Sequence, residues 1–171
     1  GVIIALITLY FIARGILFTR SDFRLREVHV YSPDLPPSFE GFRIVQLSDM
    51  HLGSWTRPKD VEKGLLLARA AKPDLLCLTG DLINVNAAET KPYLKDFSEL
   101  NAPFGKVAVL GNHDMGDYAR FGSRDSSGTD IQRISQFYEQ CGFQLLRNRN
   151  IRINKGTDSI AVIGIDNWGK K

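Results

Sequence analysis

Three short apolar segments, separated by two amphipathic ones, constrain the fold of this 171-residue chain more than any other feature. Each apolar segment has the length and composition of a buried β-strand, and the three lie at residues 43–47, 74–78 and 106–110. The segments between them, 58–71 and 90–100, have the spacing of helices that bury one face. This βαβαβ order predicts an α/β fold built on parallel strands.

The remainder of the chain predicts one more helix and a meander of strands. Asp130 is placed to cap a third helix, which Gly142 would end. Three further apolar segments, at residues 143–146, 151–153 and 160–165, have the length of strands joined by turns. Together with the βαβαβ unit, these elements predict an α/β sandwich.

The N-terminal segment differs in character from the rest. Residues 1–13 are apolar and carry no charge, which predicts a transmembrane segment at residues 1–18 whose start precedes Gly1. The alternative is a buried helix. Residues 19–40 predict a juxtamembrane strand, at 27–31, and a proline-rich linker. Positive charge after the apolar run favours a cytoplasmic location for the following domain, and its sources are Arg14, Arg20, Arg24 and Arg26.

Composition excludes several classes of function. The chain has 22 Lys and Arg against 19 Asp and Glu, a net charge of +3, and no basic run, so nothing argues for nucleic acid as a partner. Hydrophobic residues make up 43% of the chain, as in ordinary globular proteins. The two cysteines, Cys77 and Cys141, have no ligand-spaced neighbours and are expected to be reduced, buried thiols.

Polar motifs follow each of the three apolar strands directly. They are Ser48-Asp49-Met50-His51, Thr79-Gly80-Asp81-Leu82-Ile83-Asn84 and Leu110-Gly111-Asn112-His113-Asp114. Because the carboxyl ends of parallel strands meet at one edge of a sheet, these side chains are expected to converge. The alternative is three polar turns in which Asp and Asn cap helices.

The residue types in these motifs suit a pair of divalent metals. Asp49 and His51, two residues apart on an extended segment, would point to one side and bind one metal. Asp81 could bridge two metals with its two oxygens, and Asn112 could offer a carbonyl oxygen to the second. Such oxygen and nitrogen ligands suit Mn, Fe, Zn or Mg. Two such ions clamp a phosphoryl displacement and acidify a water nucleophile, with His113 as the catalytic acid or charge stabiliser.

Two further roles are expected around this centre. Asp114 is predicted to be a catalytic residue that supports His113 by holding its second ring nitrogen. Gly80 and Gly111 are predicted to let the backbone turn sharply and approach the site closely just before each ligand residue. The loop after the third motif carries Arg120 and Arg124, which could bind a substrate phosphate; a plain surface loop is the alternative.

The ordered triplet resembles the calcineurin-like metallophosphoesterase superfamily, with its Asp-x-His, Gly-Asp-x-x-Asn and Gly-Asn-His-Asp/Glu blocks, over residues 41 to 166. An apolar N-terminus, a proline-rich link and the stretch 41–49 resemble its bacterial membrane-associated branch. The resemblance implies Asp49 and His51 on one metal, Asp81 bridging, Asn112 on the other metal and His113 catalytic. It implies a phosphate-ester substrate, such as a nucleotide-sugar lipid or a lipid head group.

One departure from the superfamily concerns histidines. The superfamily completes its metal pair with later Gly-His and Gly-His-x-His blocks, whereas the three histidines of this chain are His29, His51 and His113. We therefore expect residues 41–171 to be the N-terminal part of a metallophosphoesterase-like α/β sandwich whose C-terminal part is missing. A membrane-anchored phosphodiesterase or phosphatase is the expected function. A degenerate, non-catalytic binding module at the membrane is the alternative.

Overall fold

Parallel strands form the centre of the fold. The computed structural model describes residues 1–17, 21–116 and 125–167. Its main sheet has the spatial order β1–β2–β3–β4, and its strands are β1 (Ile44–Leu47), β2 (Leu75–Thr79), β3 (Lys106–Val109) and β4 (Gln144–Leu145). All three pairings are parallel. The predicted βαβαβ unit is therefore confirmed, and β4 extends it by one strand.

A second layer is an antiparallel hairpin. It consists of β5 (Arg149–Lys155) and β6 (Asp158–Gly164), paired from Arg149↔Gly164 at the open end to Lys155↔Asp158 at the turn. The meander is confirmed in outline, although β4 pairs with the main sheet and not with the hairpin.

Three of the four described α-helices cover the other face of the main sheet: α2 (Pro58–Ala70), α3 (Leu94–Ser98) and α4 (Asp125–Gln140). The remaining one, α1 (Val2–Leu17), contributes none of its described side chains to this core. Successive side chains of a strand point to opposite faces, so each strand contributes to two cores. On β2, Leu76 and Leu78 pack with Leu65 of α2 and Ile134 of α4, whereas Leu75 belongs to a second cluster. That cluster packs between the sheet and the hairpin, as an α/β sandwich requires; its buried members are Phe39, Leu75, Val107, Leu146 and Ile153.

The second predicted helix, at 90–100, has a different form. The structure has a 3-10 helix at Ala87–Tyr93 followed by the short α3. Asn86 begins the 3-10 helix through a capping box with Glu89, and Pro92 lies inside it. Proline lacks an amide proton and restricts the residue before it, so an α-helix is disfavoured until the chain has passed Pro92.

The third predicted helix begins earlier than expected. Asp130 lies within α4 and does not cap it; its Oδ1 accepts the amide of Ala87 at 3.3 Å. The predicted C-terminal end is confirmed, because Gly142 adopts a φ of 75° directly after α4. This left-handed conformation ends helices and favours glycine.

The predicted strand at 27–31 is wrong. These residues form no strand and are exposed, with Val28 at 74% and Val30 at 81%. An alternating pattern produces a strand only where a neighbouring strand accepts its hydrogen bonds, and the described part of the chain supplies none here.

Helix α1 exposes its apolar side chains to the surroundings. Between Val2 and Ile12, its large hydrophobic residues range from 52% exposed at Ile7 to 76% at Val2. In the described ranges, no helix reaches the length and apolarity that crossing a membrane requires.

Candidate metal centre

Three loops at the carboxyl ends of β1, β2 and β3 meet at one edge of the main sheet. The amide of Asp49 donates to the carbonyl of Gly80 at 3.1 Å, and the amide of His51 donates to the carbonyl of Asp81 at 3.0 Å. The amide of His113 donates to Oδ1 of Asp81 at 3.0 Å. The predicted convergence of the three motifs is confirmed, and parallel strand direction is its cause.

The backbone of two of these loops is strained where the predicted ligands lie. Asp49, His51 and Asp81 have φ angles of 53°, 42° and 50°, in the left-handed region that non-glycine residues rarely adopt. The expectation that Asp49 and His51 project from an extended segment is therefore wrong. Strain of this kind persists only where surrounding contacts enforce it, and it concentrates at functional sites.

Donor atoms of three side chains lie close enough to share a cation. One ligand atom each from His51, Asp81 and His113 lies within 4.8 Å of the others, and all three residues are half-buried. The two imidazole rings meet edge to face, with 4.7 Å between their centres. Two nitrogen donors and a carboxylate are a suitable set for a divalent transition metal.

Asn112 lies against the same carboxylate. The side-chain amide of Asn112 ends 3.3 Å and 3.1 Å from the two oxygens of Asp81, close enough for its nitrogen to donate to them if it is turned inward. With its oxygen facing them instead, the three oxygens repel one another unless a cation lies between them. Only this second orientation offers a ligand atom to a metal, and it is the one that fits the expected ions.

Asp49 is the predicted ligand that stands apart. It is exposed and lies outside the group formed by His51, Asp81 and His113. Its Oδ2 accepts the hydroxyl of Ser48 at 2.5 Å.

His113 is held through Nδ1. That nitrogen lies 2.9 Å from the carbonyl oxygen of Asn84. Because a carbonyl only accepts, Nδ1 carries the proton of this hydrogen bond. Asn84 was expected only as part of a motif, and its backbone role depends on a contact across 29 positions of the chain.

Asp114 has a different role from the predicted one. It is 1% exposed, and Oδ1 accepts the amides of Leu82 at 2.9 Å and Ile83 at 3.2 Å. Oδ2 accepts the amide of Gly111 at 3.0 Å. Burial raises the pKa of the Asp114 carboxyl, while the bonds from Gly111, Ile83 and Leu82 oppose that rise. The carboxylate therefore joins the second and third loops, and the ring nitrogen expected as its partner faces Asn84.

The two predicted glycines are confirmed as points of close approach. A Cβ on Gly111 would lie 2.1 Å from Oδ1 of Asp81, and one on Gly80 would lie 2.6 Å from the amide nitrogen of Gly111. Gly80 also has a φ of 95°. A larger residue at either position would displace the loop that carries Asp81 or Asn112.

One residue of the site was missed by the sequence analysis. Glu89 accepts backbone amides from two of the three loops, including those of Gly53 and Asn84. The spacing Asn86-x-x-Glu89, typical of a capping box, was the available signal. The predicted phosphate ligands Arg120 and Arg124 lie outside the described residues.

A family model for the calcineurin-like phosphoesterases matches residues 42–169. The chain therefore belongs to the calcineurin-like phosphoesterase family, whose members use divalent metals. The match covers the main sheet, the three motifs and the hairpin.

Curated relatives agree with this assignment. An uncharacterized metallophosphoesterase, YkuE of Bacillus subtilis, is 40% identical over 89 residues, which is 49% of this chain and 30% of the relative. An uncharacterized metallophosphoesterase of Aquifex aeolicus is 30% identical over 143 residues, covering 84% of this chain and 49% of the relative. The UDP-2,3-diacylglucosamine pyrophosphatase LpxG of Chlamydia muridarum is 40% identical over 111 residues, covering 64% and 31%. The chain thus spans half or less of the length of these relatives.

Proposed function

We propose that the protein is a metal-dependent hydrolase of phosphoric esters, a phosphodiesterase or phosphatase. One observation carries the proposal: the donor atoms of His51, Asp81 and His113 lie within 4.8 Å of one another. They do so at the edge of a parallel sheet where loops of α/β proteins bind ligands. Membership of the phosphoesterase family supports the same reaction class.

In this proposal, two divalent ions, Mn, Fe, Zn or Mg, occupy the site. Asp49 and His51 would hold one, Asp81 would bridge the two, and Asn112 would bind the other. Bound ions would polarise the phosphoester and acidify the attacking water. The half-buried position of Asp81 supports a bridging role, because a carboxylate partly removed from water attracts cations more strongly.

His113 acts as the catalytic group in this scheme. The carbonyl of Asn84 accepts a hydrogen bond from Nδ1, and the ring would act through Nε2, which in its protonated form would donate its proton to the leaving oxygen or stabilise the charge that develops there. Asp114 supports the ring indirectly. By accepting the amides of Leu82 and Gly111, it keeps the second and third loops together.

For the substrate, we propose a phosphate ester attached to a lipid, either a nucleotide-sugar lipid or a lipid head group. The support is the identity shared with LpxG, whose name specifies UDP-2,3-diacylglucosamine. Arg120 and Arg124, in the loop after the third motif, are proposed to bind its phosphate, since guanidinium groups pair with phosphate oxygens in two parallel hydrogen bonds.

We further propose that residues 1–18 anchor the protein to the membrane, with residues 19–40 as a linker and the domain of residues 41–171 on the cytoplasmic side. The support is the apolar surface of α1, where Val2, Ile3 and Ile4 are each at least 70% exposed. The arginines after it favour the cytoplasmic orientation. A membrane partner would remove this apolar surface from water.

The reaction is tested by Mn²⁺-dependent hydrolysis of bis(p-nitrophenyl) phosphate by the full-length protein. Asp81→Asn should abolish turnover, and Asp34→Asn, the same change at an exposed loop position, should leave it intact. Equal turnover in Asp81→Asn and wild-type protein would overturn the proposal. Tight metal binding without turnover on any phosphoester would favour the degenerate binding module.

The anchor is tested separately by flotation with liposomes of bacterial phospholipids. The full-length protein should float with the vesicles, whereas a variant lacking residues 1–17 should remain at the bottom of the gradient. Flotation of both would assign membrane binding to another part of the protein.

A further inference from the structure

The carboxylate of Glu89 is saturated with hydrogen bonds. Oε1 accepts the amides of Val85 at 3.0 Å and Asn86 at 3.1 Å. Oε2 accepts the amides of Gly53 at 3.0 Å and Asn84 at 2.6 Å. An ionised carboxylate has about four acceptor positions, so these four donors fill them.

Capping of the 3-10 helix accounts for one of these bonds. A capping box needs only the amide of Asn86, whereas the other three donors lie outside that reciprocal pair. Gly53 belongs to the turn directly after His51, and Asn84 follows Asp81 by three residues. Glu89 therefore joins the first loop of the metal centre to the second.

Gly53 and Glu89 are packed without spare room. A Cβ on Gly53 would lie 2.3 Å from the carboxyl carbon of Glu89. Only glycine lets the backbone of the first loop reach the carboxylate at this distance.

One peptide group carries the effect of Glu89 to the catalytic histidine. The amide of Val85 and the carbonyl of Asn84 belong to the same planar peptide unit, in which they point in opposite directions. The amide side bonds to Glu89 at 3.0 Å, and the carbonyl side meets Nδ1 of His113 at 2.9 Å. Fixing one side of a rigid plane fixes the direction of the other.

We infer that Glu89 is a positioning residue for His113, and this rests on the proposed function only for its effect on turnover. By holding the Asn84–Val85 peptide, it directs the Asn84 carbonyl at Nδ1 and so fixes the orientation of the His113 ring beside His51 and Asp81. Glu89 acts through the backbone and touches no reacting atom.

The direct test is the ring tautomer of His113, measured by long-range ¹H–¹⁵N correlation on the full-length protein at one pH without paramagnetic metal. Wild-type His113 should give the pattern of a ring protonated at Nδ1. Glu89→Gln keeps one oxygen and presents an amide NH₂ to two backbone donors, so it should give a mixture of tautomers. The control is Glu99→Gln, because Glu99 is exposed and pairs with Arg69 at the surface. An unchanged pattern in folded Glu89→Gln would overturn the inference.

A second variant provides the test if Glu89→Gln does not fold. Gly53→Ala adds a Cβ that collides with the carboxylate of Glu89, so it should disturb the same His113 signals. Wild-type signals in Gly53→Ala and in any folded substitution of Glu89 would overturn the inference.

Turnover gives an independent readout. Glu89→Gln should lower kcat for the phosphodiester about 10- to 100-fold with little change in KM, as expected for an outer partner of a catalytic group. A change confined to KM would contradict positioning of His113. Absence of turnover in the wild-type protein would refute the proposed function, while the tautomer measurement would still decide the role of Glu89.

Discussion

Replacement of Asp114 tests whether this carboxylate holds the site together or takes part in the chemistry. The side chain is 1% exposed and accepts three backbone amides, from Leu82, Ile83 and Gly111. Asp114→Ala leaves all three donors without this acceptor. Each buried amide that loses its partner costs about 1–3 kcal/mol. The lower part of that range, summed over three donors, gives a loss of about 3–5 kcal/mol in the free energy of unfolding, among the largest effects of single substitutions.

Asp114→Asn should lower the free energy of unfolding by less than Asp114→Ala does. Its remaining oxygen can still accept the amides of Leu82 and Ile83, whereas its NH₂ group faces the amide of Gly111. One lost bond of the three predicts a cost of about 1–3 kcal/mol.

The assay is urea unfolding of the metal-free protein, followed by tryptophan fluorescence and circular dichroism together. Asp34→Ala, at an exposed position, is the control and should change the free energy of unfolding by less than about 0.5 kcal/mol. If Asp114→Ala unfolds at the same urea concentration as the control, the structural role is refuted. Loss of turnover at unchanged stability would instead assign Asp114 to the chemistry, as the sequence analysis expects.

The other predictions concern Gly111, Tyr138 and the two cysteines. Gly111→Ala should weaken Mn²⁺ binding by at least tenfold in calorimetry, because its Cβ would lie 2.1 Å from Oδ1 of Asp81. Tyr138→Phe should raise the free energy of unfolding by about 1 kcal/mol in urea, since the buried hydroxyl has no hydrogen-bond partner among the described residues. Burial raises the pKa of the Cys77 and Cys141 thiols to about 11, so both should resist iodoacetamide at pH 8. Because the folded pKa exceeds the unfolded value near 9, their contribution to stability is complete below pH 9 and is lost as the pH rises toward 11.

Each of these outcomes has a control or a contrary result. Gly41→Ala introduces a side chain at a φ of 70° with nothing within 4 Å, so it should cost stability and leave Mn²⁺ affinity unchanged. A loss of stability in Tyr138→Phe would indicate that the hydroxyl is bonded in solution. Rapid alkylation of the half-buried Cys77 or the buried Cys141 in the folded protein at pH 8 would contradict the raised pKa of these thiols.

The local pattern of apolar residues was sufficient to predict the three central strands of the main sheet. The strands at 43–47, 74–78 and 106–110 are confirmed within one or two residues, because short strands inside a parallel sheet show apolar runs, although β1 itself buries only Val45. Local pattern failed at 27–31, where alternation exists without a neighbouring strand, and at 90–100, where Pro92 replaces an α-helix by a 3-10 helix.

The sequence by itself determined where the predicted metal ligands gather, since each motif directly follows a parallel strand and Gly80 and Gly111 allow the loops to close. Only the tertiary structure decided which groups hold those ligands in place. Nδ1 of His113 meets Asn84, the carboxylate of Asp114 binds backbone amides, and Glu89 reaches back to Gly53. These contacts join residues about 30 positions apart, and no local pattern encodes them, because their distances depend on how the packed sheet brings separate loops together.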